Sequence, residues 1–565
     1  MRKQYEAFDL LAVARRARNY LTRMVDDACD CLPYWFVQIN ENPAYARHVR
    51  VDDAELVASW YEAIVCVRHI LGADARATAV EQAFIRHLLK SWGPQGLRYH
   101  EPYPWSNTNH ASFHEMGYVL NALNRLLLEQ PGHAEAEQRT RELVRGLRGL
   151  VVQRRTATFW SGDWALPEKV YEFPGDVYLR DGGFVPERVT GRGEECIRNA
   201  VLLMPLAVRA DLFKDEVALD VAEGIANHLL GLSRYFNWKG EFFGHVHSAV
   251  WFAAGLARLG RITNNLRYVT RANDIYRYVL GLSSPFGWVP EYAQWRPINE
   301  EHCETCCIKD MIECGFELID CGYDYWDVIN KFTRNQLAEQ QIQDGSFVGV
   351  DNTRDDKDGH TWRAMDERVV GGWSGGAEPN SLSLARFRSI AGCCVGTAPQ
   401  ALEMVWQRIV THRDGTLHVN LPMTHTSALA DVAIGYPNAG WLRVTAKMPG
   451  TYLVRVFDWM GPCLELTVDG VRRPVVFADG CVCCEDLRAG QVMTLAHPLQ
   501  ETVRNETARG TEYRVTWRGP DVVRMDPPGL PLKLYQRECG VANQYPQPAA
   551  AGSGPVSMRP TEQKR

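Results

Sequence analysis

No run of eighteen or more apolar residues occurs in the sequence, so no segment is expected to span a bilayer as a helix. Basic residues are not in excess: 62 lysines and arginines stand against 68 aspartates and glutamates, a net charge of -6. Without a basic face, nucleic acid is not an expected partner. Long blocks of like charge are missing too. The N-terminal stretch MRKQYEAFDLLAVARRARNYL has no continuous apolar core, because Arg15, Arg16 and Arg18 interrupt it. It reads as an amphipathic helix, not a secretory signal, and the expected compartment is the cytoplasm, where thiols stay reduced.

What is abundant is cysteine, with 16 in the chain. In a reducing compartment that number points to buried thiols plus a metal or catalytic site, not to a disulfide framework. A length of 565 residues with 46% hydrophobic and 23% charged content is that of a soluble protein of two or three units.

Helical periodicity recurs to about residue 410. It is clear in residues 52–71, 110–129, 133–152, 196–213, 215–236, 247–260 and 265–282, and again in 308–322, 324–342 and 394–410. With helices near 6–27 and 78–91 this makes about twelve, many paired through short loops. Six helical hairpins fit an (α/α)6 barrel; no repeating consensus supports a solenoid. Long aromatic loops at 90–109, 157–184 and 283–299 separate the helices. Loops of that length in a compact domain usually carry function, and Trp or Tyr at their tips, Trp288 among them, suit stacking against a sugar. Near residue 413 the period changes to two. Segments such as WLRVTAKM, TYLVRVFDW and YRVTWRG alternate and are rich in Val, Thr and aromatics. The reading is a mostly α protein with a C-terminal all-β domain: an (α/α)6 barrel over residues 1–412, a β-sandwich over 413–540 and a disordered Pro/Gly/Ala/Ser-rich tail over 541–565.

Two cysteine knots stand out. NEEHCETCCIKDM holds Cys303, Glu304, Cys306 and Cys307, and SIAGCCVGTAPQ holds Cys393 and Cys394. One glutamate and three cysteines suit a tetrahedral zinc ion, although the spacing is not that of a zinc ribbon, and buried free thiols pack equally well as small hydrophobes. Cys314 and Cys321 read as such thiols. So do Cys29 and Cys31, and Cys481, Cys483 and Cys484 on a strand whose alternation sends them to opposite faces.

The paired knots, on a helical region that leads into β structure, resemble the β-L-arabinofuranosidases of glycoside hydrolase family 127. GHVHSAVWFAAGLA (244–257) is similar to that family's GHAVRAMYLYAGMA, which places His245 on the family's histidine. NNLRYVTRANDIYRYVLG, YDYWDVINKFTRNQL and PLKLYQRE resemble further family segments, so the likeness spans roughly residues 190–540. It implies a retaining glycosidase with a zinc ion held by Glu304, Cys306, Cys393 and Cys394, and with Cys393 as nucleophile. The family's acid/base glutamate falls by count on Trp288, so a short deletion would bring Glu291 into its place; Glu300 and Glu301 are alternatives. His245 is the expected sugar contact, with His247 able to exchange roles, and His110 and His114 are weaker candidates.

The sequence departs from the family in three places, one of them the segment between residues 157 and 190, which fits it poorly. Val395-Gly396-Thr397 replaces Pro-Pro-Asn after the cysteine pair, and a polar stretch at 351–380 precedes it. These changes put the sugar in doubt. The leading expectation is a zinc-dependent exo-acting glycosidase on β-L-arabinofuranosides or a related sugar, with a sandwich that either props the barrel or contributes to a homodimer. A polysaccharide lyase on the same barrel, and a non-catalytic glycan binder with a structural zinc, are the rivals.

Overall fold

The computed structural model describes residues 3–48, 53–106, 109–154, 169–185, 190–382, 390–530 and 532–539. Residues 157–168 of the aromatic loop at 157–184 and the tail at 541–565 lie outside the described residues.

Fourteen α-helices are described. In chain order they are α1 (Leu10–Arg23), α2 (Asp53–Leu71), α3 (Ala75–Leu88), α4 (Phe113–Glu129), α5 (Ala134–Leu150), α6 (Glu194–Ala200) and α7 (Leu203–Phe213). Then come α8 (Glu216–Asn227), α9 (Val246–Ile262), α10 (Leu266–Leu282), α11 (Thr305–Ile319), α12 (Trp326–Phe332), α13 (Met365–Arg368) and α14 (Gly392–Arg408). Packing sorts the long ones into two rings. Helices α2, α4, α7, α9, α11 and α14 each touch the next, and α14 returns to α2, closing an inner ring. Helices α3, α5, α8, α10 and α12 each pack chiefly behind one inner helix, and α1 backs both α2 and α14. This is the (α/α)6 barrel expected from the helical pairs.

Residue type explains the sorting. An inner helix has neighbours on both sides, a helix behind it and the lumen in front, so it must be apolar nearly all round. In α9 and α11 almost every position is buried. An outer helix such as α5 buries one stripe (Ala136, Thr140, Leu143, Val144, Leu147) and keeps its charges on the other face.

The span 196–213, expected as one helix, is two. The α6 helix ends at Ala200 and α7 begins at Leu203, with Pro205 in its first turn. Proline lacks an N–H and its ring clashes with the carbonyl four residues back, here that of Val201, so the helix restarts there. The span 215–236 becomes α8 followed by a π-helical turn at His228–Leu232.

From Val410 onward the chain is β. One sheet orders 410–413, 416–419, 450–455, 481–487 and 476–478; a second orders 425–426, 430–434, 441–446, 492–496, 465–468 and 471–473. Their inward residues, among them Leu442, Val444, Tyr452 and Val454, share one core. Strand 513–518 was expected in the sandwich. It lies instead in a separate three-stranded meander of 501–508, 511–518 and 521–526. That meander docks on the barrel: the Arg334 guanidinium, after α12, makes a fully buried two-point ion pair with Asp521 at 3.0 and 2.7 Å.

A small four-stranded sheet orders 360–361, 45–47, 36–38 and 390–391. It pins Ile390–Ala391 just before α14, with Ala391 opposite Phe36. The stretch 351–380, read as a polar insertion, divides in two. Its first part is largely exposed, whereas Trp373, Ser374 and Ala377 are buried. The Trp373 indole donates to the Leu337 carbonyl, and Ala377 exchanges backbone hydrogen bonds with Cys303.

Candidate active site

Glu304 is the residue before α11, and Cys306 lies in that helix's first turn; Cys393 and Cys394 open α14. The two helices are neighbours in the inner ring, so their N-termini meet. A helix N-terminus carries partial positive charge and unpaired N–H groups, and two of them favour thiolate and carboxylate together. Backbone pairing of Cys303 with Ala377 and of Ala391 with Phe36 fixes both starts. The Trp60 indole donates to the Gly392 carbonyl at 2.9 Å.

One ligand atom from each of Glu304, Cys306, Cys393 and Cys394 lies within 4.8 Å of the other three, and all four residues are buried. Cys306 Sγ is 3.8 Å from Cys394 Sγ, and Cys393 Sγ is 3.5 Å from Glu304 Oε1. A tetrahedral zinc with bonds of about 2.3 Å to sulfur and about 2.1 Å to oxygen has edges of about 3.8 and 3.6 Å. The donor set and its spacing therefore fit a tetrahedral ion of zinc's size. Of the other knot cysteines, Cys303 and Cys307 turn into the core.

The three thiols are not equivalent. Burial pushes Cys306 well above the ordinary thiol range, and neighbouring thiols push it further. Cys394 behaves oppositely: burial opposes ionisation, but hydrogen bonds from the Cys306 and Cys393 thiols outweigh it and hold Cys394 well below that range. Cys393 is the most open of the three, 7% exposed against 1% for Cys306 and 0% for Cys394.

His245 stands over the cluster, with Nε2 3.5 Å from Glu304 Oε2 and Nδ1 2.9 Å from Ser248 Oγ. Burial lowers its pKa despite Glu304, so the ring is neutral at pH 7. His247, offered from the sequence as an interchangeable sugar contact, occupies a second layer. Its Nδ1 is held by Asp310 and its Nε2 by the Tyr118 hydroxyl, which uses both ring nitrogens and leaves none for a sugar hydroxyl. Trp288 is a correction as well. It is fully buried, with its indole N–H donating to the Ala377 carbonyl at 3.1 Å, so it offers no face to a ligand. An isolated β-bridge just after it explains why: Pro290 pairs with Cys303, which draws the loop inward.

Glu291 sits beside His245. Its carbonyl accepts the Val246 N–H, the next residue, Tyr292, pairs with His245 in a two-stranded ladder, and its own carboxyl is 6% exposed. Glu300 is exposed in a 3-10 turn. Glu301, the other alternative, is 1% exposed and clamped by Arg296 at 2.7 and 3.2 Å, which makes it a structural anion. His114 faces Glu55 at 3.3 Å, and the His110 ring packs on His100.

Sequence reading missed Thr397, Asp310 and Tyr118. Thr397 Oγ1 lies 3.1 Å from the Cys393 carbonyl and 3.4 Å from Cys306 Sγ. A signal existed for two of them: Thr397 follows Cys393, and Asp310 follows Cys306, by four residues, which puts each on its cysteine's helix face. Tyr118 had none, because only the barrel brings α4 to α9.

Two further groups combine carboxylates with a histidine: Asp53, His100 and Glu115, and Glu172, Glu195 and His228. Arginines already balance them, Arg98 on Asp53 in the first, Arg154 on Glu172 and Arg198 on Glu195 in the second. No described helix is long and apolar enough to cross a membrane.

No protein-family model matches the chain, and no curated protein matches it significantly. Solved structures do. A GH127 β-L-arabinofuranosidase from Geobacillus stearothermophilus T6 superposes with a TM-score of 0.55 at 13% identity, over 90% of this chain and 80% of its own. A GH127 β-arabinofuranosidase gives 0.59 at 14% identity, over 92% and 81%. A third structure, described as a glycoside hydrolase, gives 0.57 at 13% identity, over 87% and 84%. The resemblance read from the sequence thus holds at the level of the fold: the chain has the fold of the GH127 enzymes.

Proposed function

We propose that this chain is a retaining glycoside hydrolase acting on β-L-arabinofuranosides or a closely related sugar, with Cys393 as nucleophile and Glu291 as acid/base. The observation that carries the reading is the meeting of Glu304, Cys306, Cys393 and Cys394 at two adjacent helix N-termini of an (α/α)6 barrel. In this reading residues 1–412 are the catalytic unit and residues 413–540 its sandwich.

Glu304, Cys306, Cys393 and Cys394 are the residues that hold a zinc ion, and zinc supplies one thing there: it keeps its cysteine ligands as thiolates at neutral pH. The remaining chemistry belongs to the chain. The Cys393 sulfur attacks the anomeric carbon while the Glu291 carboxylic acid gives its proton to the departing oxygen, so a C–S bond forms as the C–O bond breaks. The Glu291 carboxylate then takes a proton from water, whose oxygen attacks the same carbon and displaces Cys393 as thiolate. Two inversions retain configuration. Exposure favours Cys393 over its neighbours as attacker, because Cys306 and Cys394 are sealed. The neutral His245 ring is placed to meet a sugar hydroxyl, and Thr397 steadies the Cys306 sulfur.

Incubation with 4-nitrophenyl β-L-arabinofuranoside, followed by NMR of the first sugar released, tests the reading. Release of the β-anomer supports it. Release of the α-anomer would exclude double displacement. No hydrolysis across a panel of furanosides and pyranosides, by protein loaded with zinc, would exclude the glycosidase.

A further inference from the structure

Glu291, as acid, must face the leaving oxygen, so a group beside its carboxylate, such as Arg296 at 3.8 Å, lies on the leaving-group side. This inference rests on that reading of Glu291. From the cluster outward the side chains form a track. His245 contacts Glu304, the Tyr292 ring lies 5.3 Å from His245, and the Trp295 ring lies 4.6 Å from Tyr292. Exposure rises along it, from buried Tyr292 to half-buried Trp295 and exposed Arg192.

Two guanidinium groups lie over the one indole, Arg192 at 5.3 Å and Arg296 at 5.0 Å from the ring centroid. They are not equivalent. Arg296 is compensated, since Glu301 takes its Nε and one Nη, and Glu291 stands 3.8 Å away. Arg192 makes no ion pair with any described residue. The nearby Glu194 turns one carboxylate oxygen, Oε1, to the Thr190 hydroxyl and the backbone N–H groups of Thr190 and Arg192, and makes no ion pair with the Arg192 side chain. An exposed arginine normally has water for company and needs no further account. This one is stacked on a half-buried tryptophan, and no ion pair with a described residue offsets its charge there.

The backbone supports a built site. Gln294, just before Trp295, has φ +58°, a conformation that non-glycine residues adopt sparingly and that tends to persist at functional positions. Its side-chain amide is tied to the Tyr278 hydroxyl at 2.8 Å. This turn is what swings Trp295 out of the core, where Trp288 remains, and under the two arginines.

We propose that Arg192, Trp295 and Arg296 form a leaving-group subsite that takes a carboxylate-bearing residue, a uronosyl unit in the simplest case. Arginine suits this ligand because its planar fork matches a carboxylate in two-point contact. The indole holds the Arg192 fork in place and lowers the cost of ordering it, while the Arg296 fork, bound to Glu301, adds its charge at the edge of the subsite.

Calorimetric titration of the full-length protein with methyl galacturonoside and methyl galactoside tests the proposal without turnover. The uronide is expected to bind about tenfold more tightly, the gain of a charge-assisted contact. That gap should close in Arg192→Ala and in high salt, and Arg192→Glu should reverse it. Equal affinities, no uronide binding up to about 10 mM, or a gap unchanged in Arg192→Ala would each overturn the subsite. Trp295→Ala gives the same readout should an Arg192 variant fail to fold. Hydrolysis of 4-nitrophenyl β-L-arabinofuranoside is the separate control: failure there with selective uronide binding intact removes the glycosidase and leaves the anion site, whereas hydrolysis without uronide selectivity removes only the subsite.

Discussion

The Cys306 and Cys394 sulfurs stand 3.8 Å apart across 88 residues of chain, each in the first turn of an inner helix. Each alone is a buried thiol with nothing to do. Together with Cys393 and Glu304 they form four donors at tetrahedral spacing, and most of the expectations below descend from that meeting.

Purified protein should hold about one zinc per chain by elemental mass spectrometry. A strong chelator should remove both the ion and its stabilisation. Because the ion binds only the folded site, saturation at a hundredfold over Kd contributes about 2.7 kcal/mol, visible as a fall in melting temperature that zinc restores and magnesium does not. A melting temperature indifferent to chelation and to added zinc would return the four residues to ordinary packing.

Cys393→Ser should lower kcat on the order of 10³-fold or more, since a serine hydroxyl is a far poorer nucleophile than a thiolate. Measuring zinc content beside the rate separates loss of the nucleophile from loss of a ligand. A variant that keeps both zinc and a tenth of the parent rate would exclude Cys393 as attacker.

Glu291→Gln should slow hydrolysis by roughly 10²–10⁴-fold for an alkyl leaving group, and much less for nitrophenolate, which departs without a proton. The steepness of rate against leaving-group pKa is the measurement. Equal losses for both substrates would move the acid role to another residue.

Gly396→Ala tests why glycine follows the cysteine pair. A Cβ there would stand 2.4 Å from Ser59 Oγ and 2.7 Å from its Cβ, on α2. Helices α2 and α14 must part to admit it, at a cost of about 1–3 kcal/mol. The shift displaces Cys393 and Cys394, so chemical denaturation should show lower stability and zinc titration weaker affinity. Unchanged values for both would mean that the helices adjust without moving the cysteines.

His100 predicts a pH dependence away from the cluster. Burial alone would lower its pKa, but the Glu115 carboxylate, 2.7 Å away, outweighs that and raises it to about 9. Glu115 in turn accepts the Ala54 N–H near the start of α2. A histidine with a raised folded-state pKa stabilises fully below pH 6.5, and the contribution fades as pH rises through 9. Its size is on the order of 1 kcal/mol per pH unit across that window. Melting temperatures of parent and His100→Gln should therefore differ most near pH 6 and converge above pH 9. A constant difference would assign His100 a packing role only.

Periodicity alone determined a good part of this molecule. The apolar spacing of α2, α9 and α14 and the outer stripe of α5 demand buried helices and backing helices, and the switch to period two near Val410 demands sheets. The two knots were legible as a donor set because Glu304, Cys306, Cys393 and Cys394 are residue types with few other uses in such density. Helix ends set by local chemistry were less legible: Pro205 was visible in the sequence, yet the break it causes between α6 and α7 was not assigned.

Only the tertiary structure decided which candidate side chains are buried or spent on neighbours. Trp288 and Trp295 lie seven residues apart in one aromatic loop and look alike as sugar platforms. Pairing of Pro290 with Cys303 buries the first, and the left-handed turn at Gln294 brings out the second. His245 and His247 are likewise indistinguishable in the sequence, until ring closure brings Tyr118 and Asp310 to His247 and takes up both of its nitrogens. Hydrophobic period is a property of the chain taken a few residues at a time, so the sequence carries it. Which polar atom is spent on a neighbour and which is left for a ligand depends on contacts between residues tens to hundreds of positions apart, and those exist only once the barrel closes.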